Sequence, residues 1–145
     1  MIVDAEGQIL GRLSSFVAKQ ALLGKTVIVI NAEKAIVSGA RESILKRNLE
    51  KLELHNLGNY TAGPFHQKRP DKYVRRVIRG MTHNRWPRGK EAYKRVMVYI
   101  GFPKAQIKRE LDVDVDKEEI VKPNIKKVNQ YLTVEEICRF IGGRW

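Results

Sequence analysis

The sequence is poor in residues on which secreted and membrane proteins depend. It has one cysteine, Cys138, among 145 residues. A single cysteine excludes an internal disulfide framework and is typical of a reducing compartment. No apolar run approaches the roughly 18 residues of a membrane span. The first residues also lack a basic stretch followed by an apolar run, so we expect no signal peptide and a cytoplasmic protein without a membrane partner.

Motifs for cofactors and metals are also missing. Neither the glycine-rich dinucleotide fingerprint nor a P-loop occurs in the sequence. The three histidines, His55, His66 and His83, have no second ligand at metal-binding spacing. Asp4 stands where an α/β enzyme could place a catalytic acid, but turn formation explains it equally well. We therefore expect no cofactor, no metal, no small-molecule substrate and no catalysis.

Acids are scarce relative to bases. The chain carries 28 Lys and Arg against 16 Asp and Glu, a net charge of +12, with 43% hydrophobic residues. This length and hydrophobic content predict one folded domain. So large a positive excess opposes compaction by self-repulsion and indicates a polyanionic partner.

The first 40 residues predict a βαβ unit. A short strand at 2–3 precedes a helix at about 10–23, and 26–31 (TVIVIN) is a continuous β-branched run. Such a run is typical of a strand buried on both faces of a parallel sheet. The predicted helix has one apolar face, formed by Leu10, Leu13, Val17 and Ala21.

The middle of the chain continues the alternation of strands and helices. A second apolar segment at 35–38 is followed by a helix at about 41–55, then by a short helix at 88–94 and a buried strand at 96–101. The leucines at helical spacing in the longer helix predict its buried stripe: Leu45, Leu49 and Leu52.

The composition changes near residue 103. Residues 110–123 hold six acids against two lysines and predict a solvated extension that wraps the domain. A final helix at 133–141 begins with a capping box formed by Thr133 and Glu136. We therefore divide the chain into an α/β core at 1–103, which includes a basic region at 63–95, and a C-terminal extension at 104–145.

Most of the net charge lies in one segment. Residues 66–95 hold eleven Lys and Arg against two acids, which is +9 of the chain's +12. Helical spacing splits 71–81 into two stripes that point in roughly opposite directions. The apolar stripe is Val74, Val77, Ile78 and Met81; the cationic stripe is Lys72, Arg75, Arg76 and Arg79.

RNA is the partner that this segment predicts. A solvated charged face usually interleaves acids with bases, and here the acids are missing. A membrane-surface helix needs bulky residues on its apolar face, whereas these are small. Arginine binds phosphate bidentately, and nearby aromatic and imidazole rings suit stacking on bases or riboses: Trp86, Tyr73, His66 and His83. Three glycines permit close backbone approach: Gly63, Gly80 and Gly89.

Several motifs occur together and in order. They are DAEGxILGRL at 4–13, VIVINAEKAIVSG at 27–39, GPFH at 63–66, RxxRGM at 76–81 and RG at 88–89. In combination they resemble the ribosomal protein L13 (uL13) family of the large ribosomal subunit, in its archaeal form, over about residues 2–102.

The resemblance implies a fold, a role and a set of binding residues. The fold is a three-layer α/β/α arrangement with a four-stranded, mainly parallel sheet. The role is binding to large-subunit rRNA beside neighbouring ribosomal proteins, in support of subunit assembly and without catalysis. The rRNA-binding residues that it implies are Lys68, Arg69, Lys72, Arg75, Arg76, Arg79, Arg85, Arg88, Lys90 and, more weakly, Arg12. The acidic residues at 110–119 could instead contact a basic neighbour.

The alternatives are an RNA-modifying α/β enzyme, such as a methyltransferase, and an accessory RNA-binding factor. The enzyme would use the carboxyl edge of the sheet as a cofactor site, with Glu33 as the acid after the second strand. It also needs a glycine-rich loop, which the sequence lacks. Calorimetry with S-adenosylmethionine and NAD discriminates, because failure to bind either removes the enzyme hypothesis.

Overall fold

The computed structural model describes residues 1–59, 61–111, 120–123 and 128–145. These residues form six strands and six α-helices. The strands are β1 (Ile2–Asp4), β2 (Val27–Ile30), β3 (Ile36–Ser38), β4 (Val96–Val98), β5 (Ile120–Val121) and β6 (Tyr131–Thr133). The helices are α1 (Leu10–Leu22), α2 (Arg41–Glu53), α3 (Pro70–Met81), α4 (Pro87–Lys94), α5 (Lys104–Leu111) and α6 (Val134–Phe140).

The centre of the fold is a four-stranded sheet. Its strand order is β4-β2-β1-β5, and every neighbouring pair is parallel. Parallel strands need crossover connections, which place helices on the faces of a sheet. The α/β fold with a four-stranded, mainly parallel sheet, which the family resemblance implies, is therefore confirmed.

Alternating residues of β1 and β2 face two different layers. Val3, Val27 and Val29 belong to the larger core cluster, together with apolar residues of α1, α3, α4 and α6. The isoleucines at the intervening positions, among them Ile2 and Ile28, pack with Ile107 of α5 on the opposite face. Both faces of the sheet are thus covered, which explains the continuous apolar run in the sequence.

The predicted apolar face of α1 is confirmed. Its four residues, Leu10, Leu13, Val17 and Ala21, are all buried. Gly24, after the end of the helix, has φ +94° and donates its N–H to the Ala21 carbonyl at 3.1 Å. Glycine reaches this left-handed region without steric cost, so it ends the helix as the sequence predicts.

A second sheet joins the middle of the chain to its C-terminal part. In it, β3 pairs antiparallel with β6, which the sequence reading missed. The apolar segment at 35–38 therefore lies outside the main sheet. After β6, the predicted capping box is confirmed: Thr133 Oγ1 accepts from the Glu136 N–H at 3.2 Å, and Glu136 Oε2 accepts from the Thr133 N–H at 2.9 Å.

The fourth strand of the main sheet comes from the acid-rich segment. Ile120 and Val121 pair with Ile2 and Val3, so the prediction of a solvated extension is wrong for these two residues. A two-residue strand has too little length to show periodicity. The acidic positions at 112–119 lie outside the described residues, and the division of the chain at 103 stays a prediction.

The predicted buried stripe of α2 is also wrong. Ile44 and Asn48 are the buried positions, whereas Leu49 is 41% exposed and Leu45 and Leu52 are half-buried. Ile44 packs with Leu132 and Ile137 of the β6–α6 unit. This neighbour covers a face that is offset from the leucine stripe. The helix also ends at Glu53, before His55.

Cys138 lies inside the larger core cluster and is fully buried. Burial raises the pKa of its thiol to about 12, and the carboxylate of Asp71 acts in the same direction. The thiol therefore stays protonated at neutral pH.

Gly89 in α4 packs against the turn that follows α3. A Cβ at this position would lie 2.2 Å from the carbonyl oxygens of both Thr82 and His83. Gly80 in α3 has open space around the equivalent position. The close approach at Gly89 therefore serves the chain's own packing, whereas its predicted approach to RNA stays a prediction.

We predict opposite effects on stability for two alanine substitutions in neighbouring helices. Gly89→Ala must displace backbone atoms and should lower the free energy of unfolding by about 1–3 kcal/mol, as overpacked sites do. Gly80→Ala should raise it by about 0.5–1 kcal/mol, because alanine favours the helix. Urea unfolding of both variants measures this. Equal stability of the two proteins would contradict the packing at Gly89.

Candidate nucleic-acid interface

The orientation of α3 is set by its apolar stripe. Val74 and Ile78 are fully buried against the α1 side of the core, and Val77 and Met81 pack at its margin. Pro70 at the first helical position has a φ suited to helix initiation. The apolar stripe predicted from the sequence is thus confirmed, and the opposite side of the helix faces outward.

The two acids of the basic segment are already paired. Asp71 Oδ1 lies 3.3 Å from Arg69 Nε, and Glu91 Oε2 lies 3.7 Å from Arg95 Nη2. Both partners are cations at the ends of the segment. Little negative charge is therefore left for the cations between them.

The remaining predicted binding residues are exposed, except Arg75. No carboxylate of the described residues lies within 4.0 Å of them. They are Lys68, Lys72, Arg76, Arg79, Arg85, Arg88, Lys90 and Arg12. Unpaired cations on a surface attract an anion without first having to break an ion pair.

Three of these cations surround one shallow depression, which we call the arginine cradle. Its volume is about 350 Å³, and it is lined by Arg76, Arg79, Gly80, Asn84 and Arg85. With the Asn84 amide oxygen facing Arg79, it accepts from Nε at 3.0 Å and from Nη2 at 3.3 Å. This contact holds one guanidinium in place, which reduces the entropy lost when an anion binds.

The structure does not bring all predicted residues to the cradle. Arg88 lines a separate depression of about 300 Å³, together with Lys19 and apolar residues of α1. Arg12, on the exposed side of α1, lines neither depression. Arg69 is engaged by Asp71. The predicted binding residues are therefore spread over a wide surface, and three of the arginines meet at the cradle.

Arg75 departs from the prediction of an exposed cation. It is half-buried, and its guanidinium carbon lies 4.8 Å from the centre of the Tyr93 ring. Its Nε is buried and has no hydrogen-bond partner among the described residues. The helical spacing places Arg75 beside Lys72 and Arg79, but α4 covers this side of α3. Arg75 thus joins α3 to α4.

The predicted stacking side chains divide into two groups. Trp86, which precedes α4, is 68% exposed, and His66 and His83 are exposed as well. Tyr73 is only partly exposed, and its hydroxyl donates to Asn48 Oδ1 at 3.1 Å. Burial raises the pKa of Tyr73, so its hydroxyl stays neutral. The prediction that Tyr73 is an open stacking platform is therefore wrong.

The carboxyl edge of the parallel sheet is filled by internal contacts. Asp4 Oδ1 accepts from the Glu6 N–H at 3.0 Å and from Asn31 Nδ2 at 2.9 Å, and its Oδ2 lies 2.9 Å from Lys122 Nζ. Glu33 Oε2 accepts from the Gly101 N–H at 2.9 Å. Each acid considered for an enzyme thus holds neighbouring chain in place.

These contacts control the ionisation of Asp4. Burial alone would raise the pKa of its carboxyl group, but the hydrogen bonds from Asn31, Glu6 and Lys122 outweigh burial and lower it. The contact between Asp4 and Lys122 also raises the pKa of the Lys122 ammonium group.

The described part of the chain contains no group of three His, Cys, Asp or Glu able to hold a metal. No helix in that part is long and apolar enough to cross a bilayer.

Sequence reasoning missed the residues that complete these surfaces. Asn84 follows the end of α3, where helical periodicity no longer applies, and Lys19 belongs to a different helix from Arg88. Gly80 and Asn84 follow the RxxR motif in the sequence, but no local pattern predicts that they line one depression with the arginines.

Comparison with known proteins gives a consistent result. The family described as ribosomal protein L13 matches residues 1–105. A protein of Methanocaldococcus jannaschii named large ribosomal subunit protein uL13 is 39% identical over 145 residues, covering 99% of this chain and 98% of that protein. The proteins of the same name from Methanococcus maripaludis and Archaeoglobus fulgidus are 38% and 35% identical, covering 100% and 99% of this chain and 99% and 88% of their own lengths.

We predict that Arg75→Ala and Arg76→Ala act on different properties. Loss of the cation–π contact should lower the free energy of unfolding of the Arg75 variant by about 0.5–2 kcal/mol. The Arg76 variant should stay within about 0.5 kcal/mol of the unmodified protein, as exposed positions usually do. Thermal unfolding checks both variants. Equal effects would contradict the inward position of Arg75.

We also predict that Asp4→Asn removes a pH-dependent part of stability. A lowered folded-state pKa stabilises the protein above the unfolded value of about 3.9, and this stabilisation is lost as the pH falls through the folded value. The variant should be about 1.5–3 kcal/mol less stable near pH 7, with a difference that shrinks below pH 4. Glu50→Gln, on the surface of α2, is the control. A difference that is constant with pH would contradict the network.

Proposed function

The chain belongs to the ribosomal protein L13 family, and from this premise we propose that it is a structural component of the large ribosomal subunit that binds large-subunit rRNA. The relatives are named as ribosomal proteins of the large subunit. The family is structural and not enzymatic, so the methyltransferase alternative is set aside. The proposed location is the ribosome in the cytoplasm.

The single observation that carries rRNA binding is the unpaired cationic surface around the cradle. Arg76, Arg79 and Arg85 converge on one depression without a carboxylate among the described residues to neutralise them. Guanidinium groups form bidentate hydrogen bonds with phosphate oxygens. A phosphate backbone is therefore the ligand that best fits their charge and geometry.

Each predicted binding residue has a part in this proposal. Arg76, Arg79 and Arg85 bind phosphates in the cradle, and the surrounding exposed cations extend the contact along the backbone: Lys68, Lys72, Arg88, Lys90 and Arg12. Arg69 contacts Asp71 through Nε and joins them by donating its other guanidinium N–H groups to a phosphate, and Arg75 supports the surface from behind. Trp86 offers an exposed ring for stacking on a base.

A role in subunit assembly follows from the same electrostatics. Repulsion among the cations destabilises the free protein, and phosphate removes that repulsion in the complex. A protein stabilised by its RNA in turn stabilises the RNA fold that presents those phosphates, as linkage requires. We further propose that the acidic residues at 110–119, of which 112–119 lie outside the described residues, contact a basic neighbouring protein of the subunit.

Binding to purified large-subunit rRNA across a salt series tests the proposal. Log affinity should fall linearly with log salt, with a slope of about −0.7 to −0.9 per phosphate contact. The double variant Arg76→Ala/Arg79→Ala removes two such contacts and should make the slope shallower by about 1.4–1.8. The matched control, Lys104→Ala/Arg109→Ala, removes the same charge from α5 on the opposite face of the sheet and should leave the slope unchanged.

Two outcomes would contradict this function. Equal slopes for the two double variants would show that the net charge matters and the cradle does not. Release of the unmodified protein from intact large subunits at moderate salt, measured by co-sedimentation, would instead indicate an accessory RNA-binding factor.

A further inference from the structure

A second pocket lies directly beside the arginine cradle. It has a volume of about 220 Å³ and is formed between α2, the segment before α3, α3 itself and the residue after α6. Its lining has three apolar side chains, Leu52, Val77 and Ile141. Its polar lining is Asn48, Lys51, His66, Gln67, Tyr73 and Arg76. The pocket thus combines apolar walls with six hydrogen-bonding side chains.

Two polar groups of the pocket are fixed before any ligand arrives. The Tyr73 hydroxyl donates to Asn48 Oδ1 at 3.1 Å, and Asn48 Nδ2 donates to the Ile44 carbonyl at 2.8 Å. With these protons committed, the two side-chain oxygens keep lone pairs as acceptors. Rigid acceptors between apolar walls suit a flat heterocycle that carries N–H groups on its edge, as nucleobases do.

The size of the pocket limits the ligand. At about 220 Å³ it is smaller than the 300–1,000 Å³ typical of sites for drug-sized molecules. A single planar ring system is therefore a better match than a whole cofactor. Lys51 of α2 and Arg76 of α3 are cations in its lining, which favours a ligand that also carries negative charge.

Arg76 links the pocket to the cradle, because its side chain lines both. A ligand with a ring in the pocket and a phosphate at Arg76 would place adjoining phosphates near Arg79 and Arg85. A nucleotide within an RNA strand has this combination of base and flanking phosphates. Continuity between the two sites identifies the occupant more closely than either site alone.

We propose that the pocket binds one unpaired RNA base, extruded from its strand, while the phosphates next to that base lie in the arginine cradle. The inference rests on the proposed function and specifies the partner at its surface. A base inside an A-form duplex cannot enter the pocket, since it would have to leave its stack and its pair. The target is therefore a bulge, loop or strand end within the rRNA.

Footprinting of the protein on purified large-subunit rRNA tests the two parts separately. Hydroxyl radicals report protection of the sugar–phosphate backbone, and base-specific reagents such as dimethyl sulfate report access to base edges. We expect the protein to protect at least one unpaired base and the backbone on both sides of it.

Two variants fill the pocket without changing its charge. Leu52→Trp blocks it from α2, and Gln67→Trp blocks it from the exposed segment before α3, where a large side chain does not disturb folding. Each variant should return the reactivity of that base to its level in free rRNA. Protection of the sugar–phosphate backbone elsewhere should remain. Leu49→Trp, on the exposed side of the same helix as Leu52, is the matched control and should behave as the unmodified protein.

The outcomes separate the two proposals. Backbone protection without any protected base, or base protection that survives both filled variants, overturns the pocket inference and leaves rRNA binding intact. If neither the backbone nor any base is protected, the proposed function is overturned together with the pocket inference.

A free nucleoside monophosphate carries the same base and one phosphate and is the other possible ligand of the pocket. Calorimetry with AMP, CMP, GMP and UMP distinguishes it from a base within rRNA. We expect a Kd weaker than about 1 mM, because a mononucleotide has few contacts to offset its loss of free motion. Micromolar binding of a free nucleotide, without a protected base in rRNA, would overturn the proposal.

Discussion

Burial of Val74 and Ile78 against α1 is the contact on which the exposed cationic surface depends. Fully burying side chains of this size contributes about 1.5–3 kcal/mol each, more than the repulsion within the cationic stripe removes. The helix therefore cannot rotate to hide its cations. An apolar stripe that faces the core forces the opposite stripe toward solvent, and the surface charge follows from the packing of the interior.

The segment that follows α3 turns this exposed stripe into a site. Thr82 closes the helix by donating its hydroxyl to the Arg79 carbonyl at 3.0 Å, and His83 adopts a left-handed conformation with φ 51°. The chain then reverses into α4, whose Gly89 lies against the reversal. This compact turn sets Asn84 beside Arg79 and Arg85 near both. Rigid support of this kind lowers the entropic cost of binding a phosphate.

The same fold leaves its other conventional site closed. In open parallel sheets, ligands bind beyond the carboxyl ends of the strands, where the strand order reverses. Here that position lies between β1 and β5, and it is spanned by the contact of Asp4 with Lys122. The acids at this edge stabilise the turns of the domain, while the exposed cations lie in the helical layer. The surface proposed to bind RNA is therefore remote from the site that enzymes with this scaffold usually employ.

The sequence by itself determined which residues of one element share a face. Burial of β2 on both sides, the apolar face of α1 and the two stripes of α3 could all be predicted, because each is long enough to show a period. The charge of the basic segment could be counted directly. The capping box before α6 was also visible, since it depends on two residues three positions apart.

Tertiary structure alone decided which neighbour covers each face. Arg75 points inward because α4 lies over it. Tyr73 points inward because Asn48 accepts a hydrogen bond from its hydroxyl. The buried face of α2 is offset from the leucine stripe because β6 and α6 pack on Ile44. The short strands β5 and β6 and the pocket at Leu52 likewise join segments far apart in the chain. Periodicity reports the orientation of side chains within one element, whereas these features arise from packing between elements, which no local pattern encodes.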